Sequence, residues 1–246
     1  MKPLKKKDLK MKKISTILFA AILFTSCKSE PNITYKYQEK DDLFNCDQVD
    51  MNLIKEAVYA FEEYIKDNYS MEPPKSIDKG YYFYWDISKN DLIPAVEFIN
   101  PHILEIRDEL KQIDNLWIIN GDDAKLNMNH PIAKCIGNYI EDQELKKIYD
   151  VLVESNTFKN NVFLSPLKRD PIKFRKDHAL VTYLALNTFY ARILTLDFSN
   201  LEELMLINRQ RFIEKQKRFQ EENKEAIEEA KKNRQLIKID TIKISL

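Results

Sequence analysis

The sequence predicts a mainly α fold, a helical bundle with a long C-terminal helix. Three observations carry the prediction. Glycine is scarce: Gly80, Gly121 and Gly137 are all that 246 residues contain, against roughly 7% in an average chain. Sandwiches and barrels need many turns, and turns favour glycine. Apolar residues recur three and four apart along several stretches, the period of a helix that buries one face. Runs rich in Glu, Lys, Leu and Ile point the same way.

The first clear helix is DMNLIKEAVYAFEEYIKDNYS, with Asp50 as N-cap and Ile54, Val58, Phe61 and Ile65 as its buried stripe. Pro73 and Pro74 end it. YYFYWDI, residues 81–87, is the densest aromatic cluster. Its β propensity predicts an extended strand or an irregular cover over the core. Core packing is the commoner use of such rings, and a ligand platform of Tyr81, Tyr82, Tyr84 and Trp85 is the alternative. Helical periodicity returns over Asp91–Trp117, divided at Pro101, with Ile103, Ile106, Leu110 and Ile113 as its second stripe. Asn120-Gly121-Asp122-Asp123 reads as a turn.

Pro131 suits the first position of a helix that turns Ile132, Cys135 and Ile136 inward. Gln143–Ser155 follows as a helix, and Asn156–Pro171 as a loop. Residues 174–198 form the most apolar segment after the leader. Asn187 and Arg192 interrupt it, so a central bundle helix fits better than a membrane span. Arg192 then requires a carboxylate or a route to solvent. Leu201–Asn233 has four-residue charge pairs and a thin apolar stripe, which predicts an exposed helix. LIKIDTIKISL closes the chain as a strand, paired beside residues 81–87 in a small two-stranded β element, or as a tail.

The N-terminus speaks of address. Lys12 and Lys13 precede eleven mostly apolar residues, Ile14–Phe24, and small residues follow. A spanning helix needs roughly 20 apolar residues, so this is the layout of a targeting signal. Phe24-Thr25-Ser26-Cys27 resembles the lipobox of bacterial lipoproteins, with Phe24 where Leu is usual, and the style is similar to lipoproteins of Bacteroidota. The resemblance implies lipidation of Cys27, cleavage before it and attachment to the cell-envelope membrane. Lys28 lacks the Asp that signals inner-membrane retention, which implies the outer membrane. Met11 offers an alternative start that gives a conventional signal. The expected organisation is a signal over 1–26, a polar tether over 27–45, a helical domain over 46–200 and an extended helix with a strand or tail over 201–246.

Charge and motifs narrow the function. The chain is formally neutral, but residues 1–26 hold seven lysines and one aspartate. The remainder has 32 basic and 38 acidic residues. It has no basic footprint for nucleic acid. Glycine-rich phosphate cradles are ruled out by the missing glycines. Cys46 and Cys135 can form a disulfide in an oxidising envelope, restraining the unfolded chain by about 4 kcal/mol, or remain two buried thiols. His102 and Glu105 share a helical face, and with His178 they sketch a metal site. The HExxH and Glu-x-x-His patterns are missing, so no metal or other cofactor is expected. No nucleophile motif occurs either. The expected role is that of a membrane-anchored protein acting by contact with an envelope partner. Binding of a small ligand such as a saccharide is the first alternative, and metal-dependent hydrolysis the second.

Overall fold

The computed structural model describes residues 33–70, 73–90, 92–170, 173–222 and 224. The leader with Cys27, and the C-terminal segment read as strand or tail, lie outside these residues. The described chain is mainly helical, with one small antiparallel sheet.

Helix α1 spans Met51–Tyr69. The Asp50 carboxylate caps it, accepting from Asn52 N at 3.0 Å and Leu53 N at 3.2 Å. Its stripe Ile54, Val58, Phe61 and Ile65 is fully buried. Helix α2 spans Ile77–Lys89, and the Ser76 hydroxyl caps it by accepting from Lys79 N. The expected strand over 81–87 is therefore a helix. Gly80, Tyr81, Tyr84, Trp85 and Ser88 form a buried face of helical period, and burial of that face outweighs the aromatic β propensity. Gly80 is what lets α2 close on α1. A Cβ there would stand 2.8 Å from the Ile65 carbonyl oxygen.

Helix α3, Pro101–Lys111, starts at its proline and is capped by Asn100, which accepts from Ile103 N. Strands β1 (Trp117–Asn120) and β2 (Asp123–Leu126) pair antiparallel, with Trp117 opposite Leu126 and Asn120 opposite Asp123. The two residues between them form the turn, where Gly121 takes φ +60°. The two-stranded element thus lies at 117–126, and does not use residues 81–87. In β2, Ala124 and Leu126 face inward while Asp123 and Lys125 face out. Helix α4 spans Pro131–Tyr139 and α5 spans Gln143–Glu154.

Helix α6 forms the centre. It runs His178–Tyr183, widens into a π-helical segment over Leu184–Tyr190, and closes as Ala191–Ile193. Every residue of the π segment is buried. Phe189 packs 5.3 Å from the Phe61 ring of α1, and the Tyr84 hydroxyl of α2 donates to the Thr188 carbonyl at 2.9 Å. The Tyr190 hydroxyl donates to the Ala57 carbonyl at 3.2 Å. α6 thereby joins α1 and α2 through side chains from both sides. Arg192 meets its expected carboxylate, Asp123 of β2, at 2.5 Å. Among the described residues no helix is long and apolar enough to cross a membrane. The last described helix, α7, spans Leu201–Glu222 and buries Leu204.

From Ile33 onward the stretch expected as a tether is laid along the domain. Lys36 N and Tyr37 N donate to the two oxygens of Glu56, at 2.7 and 3.0 Å. Lys55 donates to the Gln38 carbonyl and pairs with Asp42, each at 3.0 Å. The Leu43 side chain is buried. The aperiodic sequence looked like a linker because its partners lie on α1, about 20 residues away, and leave no local pattern.

Candidate functional site

Seven asparagines converge on one open cleft of about 540 Å³. Its walls come from four parts of the chain. The C-terminal end of α2 brings Lys89 and Asn90. The hairpin and the turn after it bring Asp123, Lys125, Asn127 and Asn129. The segment after α5, expected as a loop but helical over Asn160–Phe163 and Ser165–Arg169, brings Asn156, Phe158, Lys159, Asn160 and Asn161. Helix α6 brings Asn187 and Arg192.

Local chemistry explains how those pieces arrive. Asn156 adopts φ +53° just past the end of α5, a left-handed conformation that asparagine tolerates better than most residues. Asn156 N donates to the Val153 carbonyl at 3.0 Å and Thr157 N to the Leu152 carbonyl at 3.1 Å. These two bonds make a Schellman stop that reverses the chain. At the hairpin, Asn127 N donates to the Leu116 carbonyl at 2.9 Å, and the Asn127 side-chain oxygen accepts from Asn129 N at 3.0 Å.

The floor is a buried amide network. The Asn187 amide nitrogen donates to Asn160 Oδ1 at 2.7 Å and to the Tyr183 hydroxyl at 2.9 Å. The Tyr183 hydroxyl donates in turn to Asn160 Oδ1. Asn187 Oδ1 accepts from Leu126 N at 2.9 Å. One side chain of the π segment thus fixes both β2 and the start of the short helix Asn160–Phe163. A π segment inserts an extra residue into the helical turn, and such insertions are frequent at functional sites. Above this floor the rim is solvated. Asn129, Asn156, Asn161, Lys125 and Lys159 are exposed, and Phe158 is half-buried.

The residues expected as a ligand platform are placed differently. Tyr81, Tyr84 and Trp85 are buried at 1%, 0% and 6% exposure. The Tyr81 hydroxyl donates to Glu62 at 2.5 Å. Tyr82 is 61% exposed and stacks edge-on to Phe83 at 5.2 Å. Because the run is helical, its rings point to opposite sides and present no shared flat face. Trp85 reaches the cleft only indirectly, through Lys89, whose ammonium lies 4.8 Å from the Trp85 ring.

The histidines are dispersed into structural roles. His102 Nε2 lies 2.7 Å from buried Glu56, and its Nδ1 lies 3.5 Å from Glu105. The helical spacing of His102 and Glu105 is thus seen as a contact. His178 instead holds the Leu43 carbonyl through Nδ1 at 3.1 Å. His130 caps α4, its Nδ1 accepting from Ile132 N at 3.2 Å, and burial lowers its pKa. Among the described residues no group of three His, Cys, Asp or Glu side chains is placed to hold a metal ion. Cys46 and Cys135 are joined as a disulfide, Cα atoms 6.0 Å apart, which ties the segment before α1 to α4.

Two further cavities flank α1 and α2. One of about 500 Å³ is walled by Tyr37, Tyr59, Glu62, Glu63, Arg175 and His178. There burial pushes the Glu62 carboxyl above its ordinary pKa, against the Tyr81 hydroxyl and the His178, Arg175 and Lys40 charges, which pull it down. The other, about 350 Å³, is a shallow groove between α7 and the 92–97 segment, with Tyr69, Ile87 and Met205 in its walls. The asparagine cleft differs from both in its density of amides and in its excess of cations over carboxylates. Sequence reading missed it because the asparagines fall in four separate stretches of the chain, one of them the middle of a buried helix.

No family model matches this chain, and no curated protein or solved structure is similar to it.

Proposed function

We propose that this protein is a lipid-anchored envelope lipoprotein whose helical domain binds a polar small ligand in the asparagine cleft. The exposed amides of Asn129, Asn156 and Asn161 on one cleft of about 540 Å³ carry the binding reading, while Asn90 and Asn127 donate to the Asp86 and Asn115 carbonyls and Asn160 and Asn187 form the floor. That volume lies within the roughly 300–1,000 Å³ typical of small-molecule sites. An amide offers two donors and an acceptor at a single side chain. Hydroxyls, which both donate and accept, are its natural complement, so a saccharide is the ligand class favoured. The anchoring reading rests on the resemblance of Phe24-Thr25-Ser26-Cys27 to a lipobox, and the outer membrane on Lys28 after it.

Titration of the full-length protein, solubilised in detergent, against a panel of neutral and charged oligosaccharides tests the binding. Saturable binding that weakens in Asn161→Ala and Lys159→Ala, both exposed positions, is expected. No binding across the panel would refute it. Incorporation of a fatty-acid probe that vanishes in Cys27→Ala tests the anchor.

A second reading is contact with another envelope protein. It is favoured by α7, on which Leu201, Met205, Leu206 and Ile213 are all exposed. Crosslinking in the envelope, with Leu206→Lys as control, separates it from the first. A specific adduct lost in that variant supports the contact, and its persistence counts against it.

A further inference from the structure

We infer that the ligand of the asparagine cleft is an anionic saccharide, an oligomer carrying uronate carboxylates. The inference rests on the binding reading above and adds the charge of the ligand.

The cleft holds four cations and one carboxylate. The carboxylate, Asp123, is engaged by Arg192 at 2.5 Å. Lys89, Lys125 and Lys159 have no ion-pair partner among the described residues. They stand on three different elements, the end of α2, β2 and the segment after α5, so three separate parts of the chain each bring a cation to the lining. The remainder of the chain after residue 26 carries more acid than base. The cations of this cleft therefore stand out against the composition of the molecule. Clefts lined by one sign of charge concentrate the opposite ion and speed its capture.

A bare inorganic anion does not account for the rest of the lining. Phosphate and sulfate sites are compact and built from backbone N–H groups or guanidinium forks. Here the cations come from separate parts of the chain, and the same lining carries the exposed amides of Asn129, Asn156 and Asn161 and the half-buried Phe158 ring, beside Ile118, Leu126 and Met128. Amides suit hydroxyls, and an aromatic ring gives an apolar surface for a sugar face. Several cations with amides in the same lining fit charges spaced along a hydroxylated chain. An oligouronate has one carboxylate per ring separated by hydroxyls.

The test compares an oligogalacturonate with its fully methyl-esterified form on the full-length protein by titration calorimetry. Esterification removes the charge and keeps the backbone. Binding of the acid should exceed that of the ester by at least about tenfold, and the double variant Lys125→Gln/Lys159→Gln should erase that preference. Both lysines are exposed, so the variant should unfold at the parental temperature. The acid should also weaken as salt rises. Equal affinity for acid and ester overturns the inference and leaves the cleft as a saccharide site. Inorganic phosphate or sulfate binding as tightly as the oligomer also overturns it, in favour of a simple anion site. If neither oligomer binds while neutral sugars of the panel do, the charge assignment fails alone. If nothing binds, it fails together with the binding reading.

Discussion

Asn187→Ala removes three hydrogen bonds from one buried point and tests whether the floor of the cleft is held as described. The Leu126 N–H, buried in β2, loses its acceptor at 2.9 Å. An orphaned buried donor costs about 2 kcal/mol. The donations to Asn160 at 2.7 Å and to Tyr183 at 2.9 Å also vanish, and each is worth about 1 kcal/mol. Tyr183 and Asn160 keep their bond to each other, so neither is stranded. The expected loss is roughly 4 kcal/mol, or a fall in Tm of roughly 10 °C for a chain of this size. Urea unfolding of the two proteins would measure it, with m unchanged. Hydrogen exchange at the Leu126 amide should accelerate. A cycle with Asn160→Ala isolates the shared bond, and a coupling of about 1 kcal/mol is expected. A loss below 1 kcal/mol, with Leu126 still protected, would show that the π segment does not pin the hairpin.

Four other outcomes follow from the same structure. His130 is held below its ordinary 6.5 by burial, so the unfolded chain takes up its proton first. Its contribution is intact above 6.5 and is lost as pH falls through the lower folded value. His130→Asn keeps a capping side chain and should flatten stability against pH there. Glu62 has the opposite sign: burial raises it above 4.5. The penalty for charging it is missing below 4.5 and grows as pH rises through the higher folded value. Glu62→Gln should therefore gain stability near neutral pH and match the parent below 4.5, which thermal melts against pH can read. Reducing the Cys46–Cys135 bond frees a loop with a sequence separation of 89. The expected loss is about 4.5 kcal/mol, measured in urea with and without reductant; Cys46→Ser/Cys135→Ser should match the reduced protein. Gly80→Ala should destabilise by about 1–3 kcal/mol. Its Cβ would meet the Ile65 backbone at 2.8 Å, whereas the same change in an open helix stabilises by about 1 kcal/mol.

Much of the helical content was legible along the chain. Asp50 before a 3.6-residue stripe, Asn100-Pro101 and His130-Pro131 each begin a helix in the structure. A cap and a period are properties of neighbouring residues, and the sequence displays them directly. The aromatic run carries conflicting signals: its β propensity favours an extended segment, and its spacing a helix. The Ser76 cap and the interval from Gly80 to Tyr84 to Ser88 were available as signals of a helix. The hairpin was visible only as its Asn120-Gly121 turn, since four-residue strands are too short to show a period.

The sequence by itself determined that this chain is mainly helical, where most of its helices start, and that its first residues resemble a secretion and lipidation signal. Those properties depend on local geometry and on residue order. Only the tertiary structure decided that Cys46 lies against Cys135, that Ile33–Asn45 is fastened to α1, and that asparagines from four distant segments share one cleft. Each of these is a contact between residues far apart in the chain. Such contacts are set by how helices pack around α6, and that packing leaves no period or motif to read.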